Sequence, residues 1–130
     1  MNPDNAKSSL TCDLHHAHLF ASDVAASIRF YQQMFGAEVV LDEELAGARN
    51  VLLRIGSAYI NFYDQPPRDA ARGVVHHLGI RTNDLAALVE HMRSQGVAFR
   101  KEITDLGSLE YVMVAGPDGI LLELFETYAF

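Results

Sequence analysis

Two histidines set in matching phrases are the residues of this chain best placed to do chemistry. His16-Ala-His-Leu-Phe-Ala-Ser-Asp23 and His77-Leu-Gly-Ile-Arg-Thr-Asn-Asp84 share their spacing, and His16 and His77 stand 61 positions apart, as do Asp23 and Asp84. Imidazole is the commonest metal ligand among side chains. Related strands that each open with a histidine can bring two imidazoles together where the units meet, a natural place for a metal. A lone histidine on a strand is more often a hydrogen-bonded core or surface residue. With six histidines in the chain, the matched register is what carries the argument. His18 lies two residues after His16, on the same face of a strand, and can serve as a general base near neutral pH or touch a substrate. Glu123 sits among Leu121, Leu122, Leu124 and Phe125. Burying an unpaired carboxylate there is costly, and a metal or an arginine relieves the cost.

The elements that must hold these residues repeat too. Residues 14–21 have the length of a strand, with His16, His18 and Phe20 on one face and Ala17, Leu19 and Ala21 on the other. Asp23 suits a helix N-cap, Val24, Ile28, Tyr31 and Phe35 make one helical face, and Gly36 can take the left-handed turn that ends the helix. Strands are expected at 39–41, 51–55 and 58–63, separated by an acidic, glycine-containing stretch and a Gly56-Ser57 turn. The second copy runs in the same order: strand 75–82, cap Asp84, and helix 85–95 with Leu85, Leu88, Val89 and Met92 inward. Strands at 97–101, 109–114 and 120–126 follow, the last two joined by the tight turn Gly116-Pro-Asp-Gly119. His15 and His76 should point away from the site by alternation. The stretch 65–73 holds two consecutive prolines, which cannot donate to a ladder, and reads as a linker. The chain is therefore α+β: a leader over 1–12, then a single domain over 13–130 built from tandem βαβββ units at 13–64 and 74–126. Only two copies of a period near sixty fit, so duplication of a half-domain explains the pattern better than a stacked array.

Composition narrows the classes of function. The chain has 130 residues, 49% hydrophobic and 21% charged, as expected of one globular domain with a proper core. Seventeen acidic against ten basic residues give a net charge of −7, which opposes the counterion release that drives nucleic-acid binding. The single cysteine, Cys12, excludes an internal disulfide framework, the first residues contain no apolar signal core, and no run of about eighteen apolar residues suggests a membrane span. A cytoplasmic protein with a small-molecule partner, no nucleic acid and no membrane is the expectation. A phosphate-cradling loop and an activated serine or cysteine nucleophile have no support in the local sequence.

The paired βαβββ pattern, the duplicated histidine-to-aspartate phrases and the tail Gly116-Pro-Asp-Gly-Ile-Leu-Leu-Glu-Leu-Phe-Glu126 resemble the vicinal oxygen chelate superfamily over roughly residues 13 to 126. That group includes glyoxalase I, methylmalonyl-CoA epimerase, extradiol dioxygenases, fosfomycin-resistance enzymes and bleomycin-resistance proteins. The resemblance implies a curved, half-barrel-like mixed sheet around a metal site, and commonly a homodimer. Position by position it implies His16, Asn61, His77 and Glu123 as the places of the ligand set. Asn61 stands where glyoxalase-like and epimerase-like members usually carry an acidic or amide ligand, often a glutamate that also moves a proton. The remaining ligands are His16, His77 and Glu123.

Two imidazoles and one carboxylate suit a divalent first-row metal and leave positions open for a bidentate substrate, water or dioxygen. Fe2+ is the first expectation, with Mn2+, Zn2+ and Ni2+ as alternatives. Tyr59 and Tyr63 flank Asn61 at alternate positions, and Arg81 shares the face of His77 and Gly79. These four, Asn61, Tyr59, Tyr63 and Arg81, are candidates to line a substrate pocket, with Arg81 a partner for an anionic group. The leading expectation is a metal-dependent lyase, isomerase or extradiol-type dioxygenase acting on adjacent oxygens of a small molecule. One alternative is a metal-free binding protein similar to bleomycin-resistance proteins. Another is a fosfomycin-resistance-like transferase, although His18 stands where that group usually has a hydroxyl-bearing residue.

Overall fold

The structure, a computed structural model, describes residues 14–45, 47–69 and 75–127. The leader, Cys12 and positions 70–74 of the linker and second unit lie outside the described residues. The first unit comprises β1 (His16–Phe20), α1 (Val24–Phe35), β2 (Glu38–Leu45), β3 (Ala48–Ile55) and β4 (Ala58–Tyr63). The second comprises β5 (Leu78–Arg81), α2 (Leu85–Ser94), β6 (Thr104–Asp105), β7 (Leu109–Ala115) and β8 (Leu121–Thr127), with a 3-10 turn at Pro117–Gly119. Each unit makes one four-stranded mixed sheet, in the orders β1-β4-β3-β2 and β5-β8-β7-β6. The two orders are the same order, shifted by one unit. The duplication therefore extends from sequence phrases to topology.

Local chemistry accounts for the boundaries. Asp23 and Asp84 cap the two helices, accepting at 3.0 Å from the amide of Ala26 and at 3.1 Å from that of Ala87. Gly36 ends α1 at φ 70°, a conformation any side chain would strain. In the 116–119 turn Asp118 itself adopts φ 60°, and its carboxylate accepts from the Ser22 hydroxyl and, at 3.3 Å, from the Ser22 amide. This ties the turn before β8 to the loop before α1.

Three expectations fail. The acidic stretch after 41 is strand, not a separator: it pairs with β3, Asp42 takes a two-pronged contact from Arg49 at 2.8 and 2.9 Å across the β2–β3 hairpin, and at the start of β2 Glu38 meets Arg54. The strand expected at 97–101 does not form, and only Thr104–Asp105 pairs with β7. Val97 and Phe99 do alternate inward against the second core, but packing rather than a ladder holds them. Strand β5 also starts later than expected, leaving His77 just before its first paired residue.

Each unit has its own core. Val51, Leu53 and Phe62 with Tyr31 anchor the first, and Leu85, Met92, Leu122 and Leu124 the second, all nearly or fully buried. Phe30, Phe35 and Leu78 pack against both clusters, and Met34 of α1 is buried in the second. The His91 Nε2 bond to the Gln33 carbonyl, at 2.7 Å, adds a polar tie between the helices. The units thus join mainly on their helical side. The outer strands β1 and β5 each keep one edge free of ladder partners among the described residues.

Candidate functional site

Parallel pairing of β5 with β8 sets Gly79 opposite Glu123. With no side chain at Gly79, the space over that pair stays open: a Cβ there would meet Phe125 Cε1 at 3.4 Å and Glu123 Oε1 at 4.0 Å. The His77 ring reaches over from the start of the strand and holds Nε2 3.5 Å from Glu123 Oε1, with side chains 35% and 25% exposed. Its other nitrogen, Nδ1, lies 2.9 Å from Nδ1 of His76, and the two rings stand nearly perpendicular at 84°. Two of the three expected ligands are therefore together, and both remain reachable from solvent.

The first unit builds the counterpart. Nδ1 of His16 lies 3.0 Å from Nδ1 of His15 at an interplanar angle of 89°, repeating the geometry of the 76–77 pair. His15 in turn stacks on Tyr59, ring centroids 4.4 Å apart. His18 lies against Tyr63 at 3.8 Å, and its pKa is lowered from the ordinary histidine value, first by burial and then by the neighbouring His16. Asn61 occupies the place in β4 that Glu123 occupies in β8. Its amide donates to Asn50 Oδ1 at 3.4 Å, and the buried Asn50 donates to the Ala48 carbonyl at 3.1 Å. The Asn61 NH2 group leans on a neighbouring amide, whereas Glu123 places a carboxylate oxygen near a ring nitrogen.

A broad cleft of about 850 Å³ separates the free edges of β1 and β5. Its walls are mostly apolar, with Met34, Phe35, Leu78 and Leu88 among them, and among the described residues Arg81 is its one arginine or lysine. The cleft reaches His16 and Tyr59, but neither His77 nor Glu123 lines it. Among the described residues of one chain, no three His, Cys, Asp or Glu side chains gather closely enough to hold a metal. His16 in the first unit and the His77–Glu123 pair in the second thus stand apart within a single protomer.

Three residues were not singled out by sequence reasoning. His15 and His76 each meet the ring of the next histidine through Nδ1 instead of standing clear of it, because alternation is enforced only inside a ladder and both precede their strands. The signal was there in the doubled His-His, repeated in register. Asn50 has no such signal, since only the register of β3 on β4 brings it to Asn61.

Comparison with known proteins places these features. The family model described as "Glyoxalase/Bleomycin resistance protein/Dioxygenase superfamily" matches residues 13–124. A Bacillus subtilis protein, "Uncharacterized protein YwbC", is 29% identical over 126 residues, covering 87% of this chain and 96% of its own. A glyoxylase/bleomycin resistance protein/dioxygenase domain from Frankia sp. superposes with TM-score 0.76 at 21% identity, over 93% of this chain and 95% of that one. A lactoylglutathione lyase from Agrobacterium tumefaciens superposes with TM-score 0.69 at 18% identity, over 94% and 100%. Among the described residues no helix is long and apolar enough to cross a membrane.

Proposed function

We propose, from the premise that the chain belongs to the glyoxalase/bleomycin resistance protein/dioxygenase superfamily, that it is a metal-dependent enzyme acting on a small molecule with neighbouring oxygens. His16, His77 and Glu123 hold the metal. The observation that carries this reading is the His77 ring, tied at Nδ1 and facing the Glu123 carboxylate with Nε2, with His16 tied the same way in the other unit. Two imidazoles and a carboxylate are donors that a divalent first-row ion accepts, Fe2+ first, then Mn2+, Zn2+ or Ni2+. Such an ion, when bound, polarises a substrate oxygen and stabilises the anion formed next to it.

The chain's own residues supply the rest. His18, two residues from His16 and held against Tyr63, is placed to accept or return a proton at a substrate carbon or oxygen. Tyr59 and Tyr63 give the substrate aromatic walls, Asn61 a carboxamide in place of a proton-moving carboxylate, and Arg81 a cation for an anionic group. Without a carboxylate at 61, proton transfer falls to His18. The reaction class is a lyase, an isomerase or an extradiol-type dioxygenase.

The active assembly is a homodimer in which the β1 edge of one protomer lies beside the β5 edge of the other. Free strand edges seek partners, and the apolar cleft between them needs cover. That placement brings His16 of one copy to the His77–Glu123 pair of the second. Elemental analysis of protein purified without chelators tests the metal: wild type should carry about one first-row ion per protomer, and His77→Ala should carry almost none. Equal contents in the two would reject the site, and a metal-free wild type would favour small-molecule sequestration of the bleomycin-resistance kind.

A further inference from the structure

The two histidine doublets do more than repeat. In each, the Nδ1 atoms of adjacent rings stand at hydrogen-bond distance, 3.0 Å for His15 and His16 and 2.9 Å for His76 and His77, with the rings close to perpendicular. A contact between two ring nitrogens holds one proton, so one ring donates and the other accepts. If His16 or His77 donates, its proton sits on Nδ1 and its Nε2 lone pair is free. In the opposite arrangement the proton occupies Nε2, where a metal would have to bind. At His77 the Nε2 edge lies 3.5 Å from Glu123 Oε1, near enough for both atoms to reach one cation, which would replace any proton held between them.

We propose that His15 and His76 are positioning residues, each accepting the Nδ1 proton of the next histidine and so fixing the tautomer and ring orientation that presents Nε2 to a metal. This rests on the metal reading given above. Metal-bound histidines are usually oriented by a carboxylate, carbonyl or water on the other nitrogen. Here a second imidazole takes that part in both units. Backbone context allows it: His15 and His76 precede their strands, so the chain can turn both rings of each doublet to the same side. The stack of His15 on Tyr59, 17° from parallel, holds the accepting ring still. The position of Tyr59 beside Asn61 thereby gains a second purpose.

The test compares His15→Phe, which keeps a ring to stack on Tyr59 but has no acceptor, with His15→Asn, whose Oδ1 falls where Nδ1 was. His76→Leu and His76→Asn make the matching pair. Zn2+ affinity, measured by competition with a chromogenic chelator, should fall about tenfold to hundredfold in the Phe and Leu variants, and should return toward wild type in both Asn variants. Nitrogen-15 imidazole spectra of the metal-free protein at about pH 8, where free imidazole is neutral, should find His16 protonated at Nδ1 in wild type and at Nε2 in His15→Phe. Unchanged Zn2+ affinity in the Phe and Leu variants, or an Nε2-protonated His16 in wild type, overturns the proposal. If wild type binds no Zn2+ at all, the functional reading fails, and the tautomer spectra alone decide this inference.

Discussion

The His77 imidazole faces Glu123 across 3.5 Å with its back nitrogen already engaged, so this ring has one free task. Exchanging Glu123 for Gln keeps the shape and removes the charge. That variant should lose most of its bound metal, because a neutral amide oxygen is a much weaker ligand for a divalent ion than a carboxylate. His18→Gln should keep full metal content, since His18 sits beside the ligand set rather than in it. Metal retained by Glu123→Gln, or lost by His18→Gln, would reassign the roles. At this scale the meeting of His77 with Glu123 was legible, because duplication marked the histidine and an apolar run made the carboxylate conspicuous, while His16 stands apart from them within one protomer. The ring contacts of His15 and His76 were not, because strict alternation holds only where a ladder enforces it. Asn50 was invisible for a different reason: its contact with Asn61 is a matter of sheet register, not of sequence spacing.

The elements obey simpler rules. Asp23 and Asp84 each satisfy an amide in the first turn of a helix, and replacing either by Ala should cost about 1 kcal/mol in equilibrium unfolding. Leu124, fully buried on β8 next to Glu123, should cost about 2–5 kcal/mol as Leu124→Ala, with the loss read from the denaturant midpoint. Asp42 offers a pH test. Its bond to Arg49 holds the carboxyl below the ordinary carboxylate range, so the pairing stabilises the β2–β3 hairpin above that range and is lost as pH falls through the lowered value. The stability difference between wild type and Asp42→Asn should be small, because the pair is exposed, and should vanish on acidification. A difference that persists in acid would mean the carboxylate charge is not its source. Both helices were legible to their caps, since cap chemistry and apolar spacing agree there. The strand expected at 97–101 was not real, because alternating apolar residues can be held by packing with no neighbouring strand to bond. The continuation of β2 beyond 41 was hidden because Asp42 and the acidic residues after it look like a loop until the cross-strand partner Arg49 is known.

The whole molecule consists of two copies of one unit, joined on their helical side and open along the edges of β1 and β5. Sequence duplication predicted the two units and their topology, but a repeat carries no information about which copy meets which, in one chain or between two. The half-sites formed in each unit make that question testable. In a symmetric dimer with shared sites, each site takes His16 from one protomer and His77 with Glu123 from the other. Pairing a His16→Ala protomer with a His77→Ala protomer places both defects in one site and leaves the other whole. The deciding measurement is the metal content of this heterodimer, isolated by two different affinity tags after co-expression, against each variant homodimer. The account predicts about one ion per heterodimer and almost none in either homodimer. A heterodimer as empty as its parents, or a His16→Ala homodimer with full metal, would contradict it.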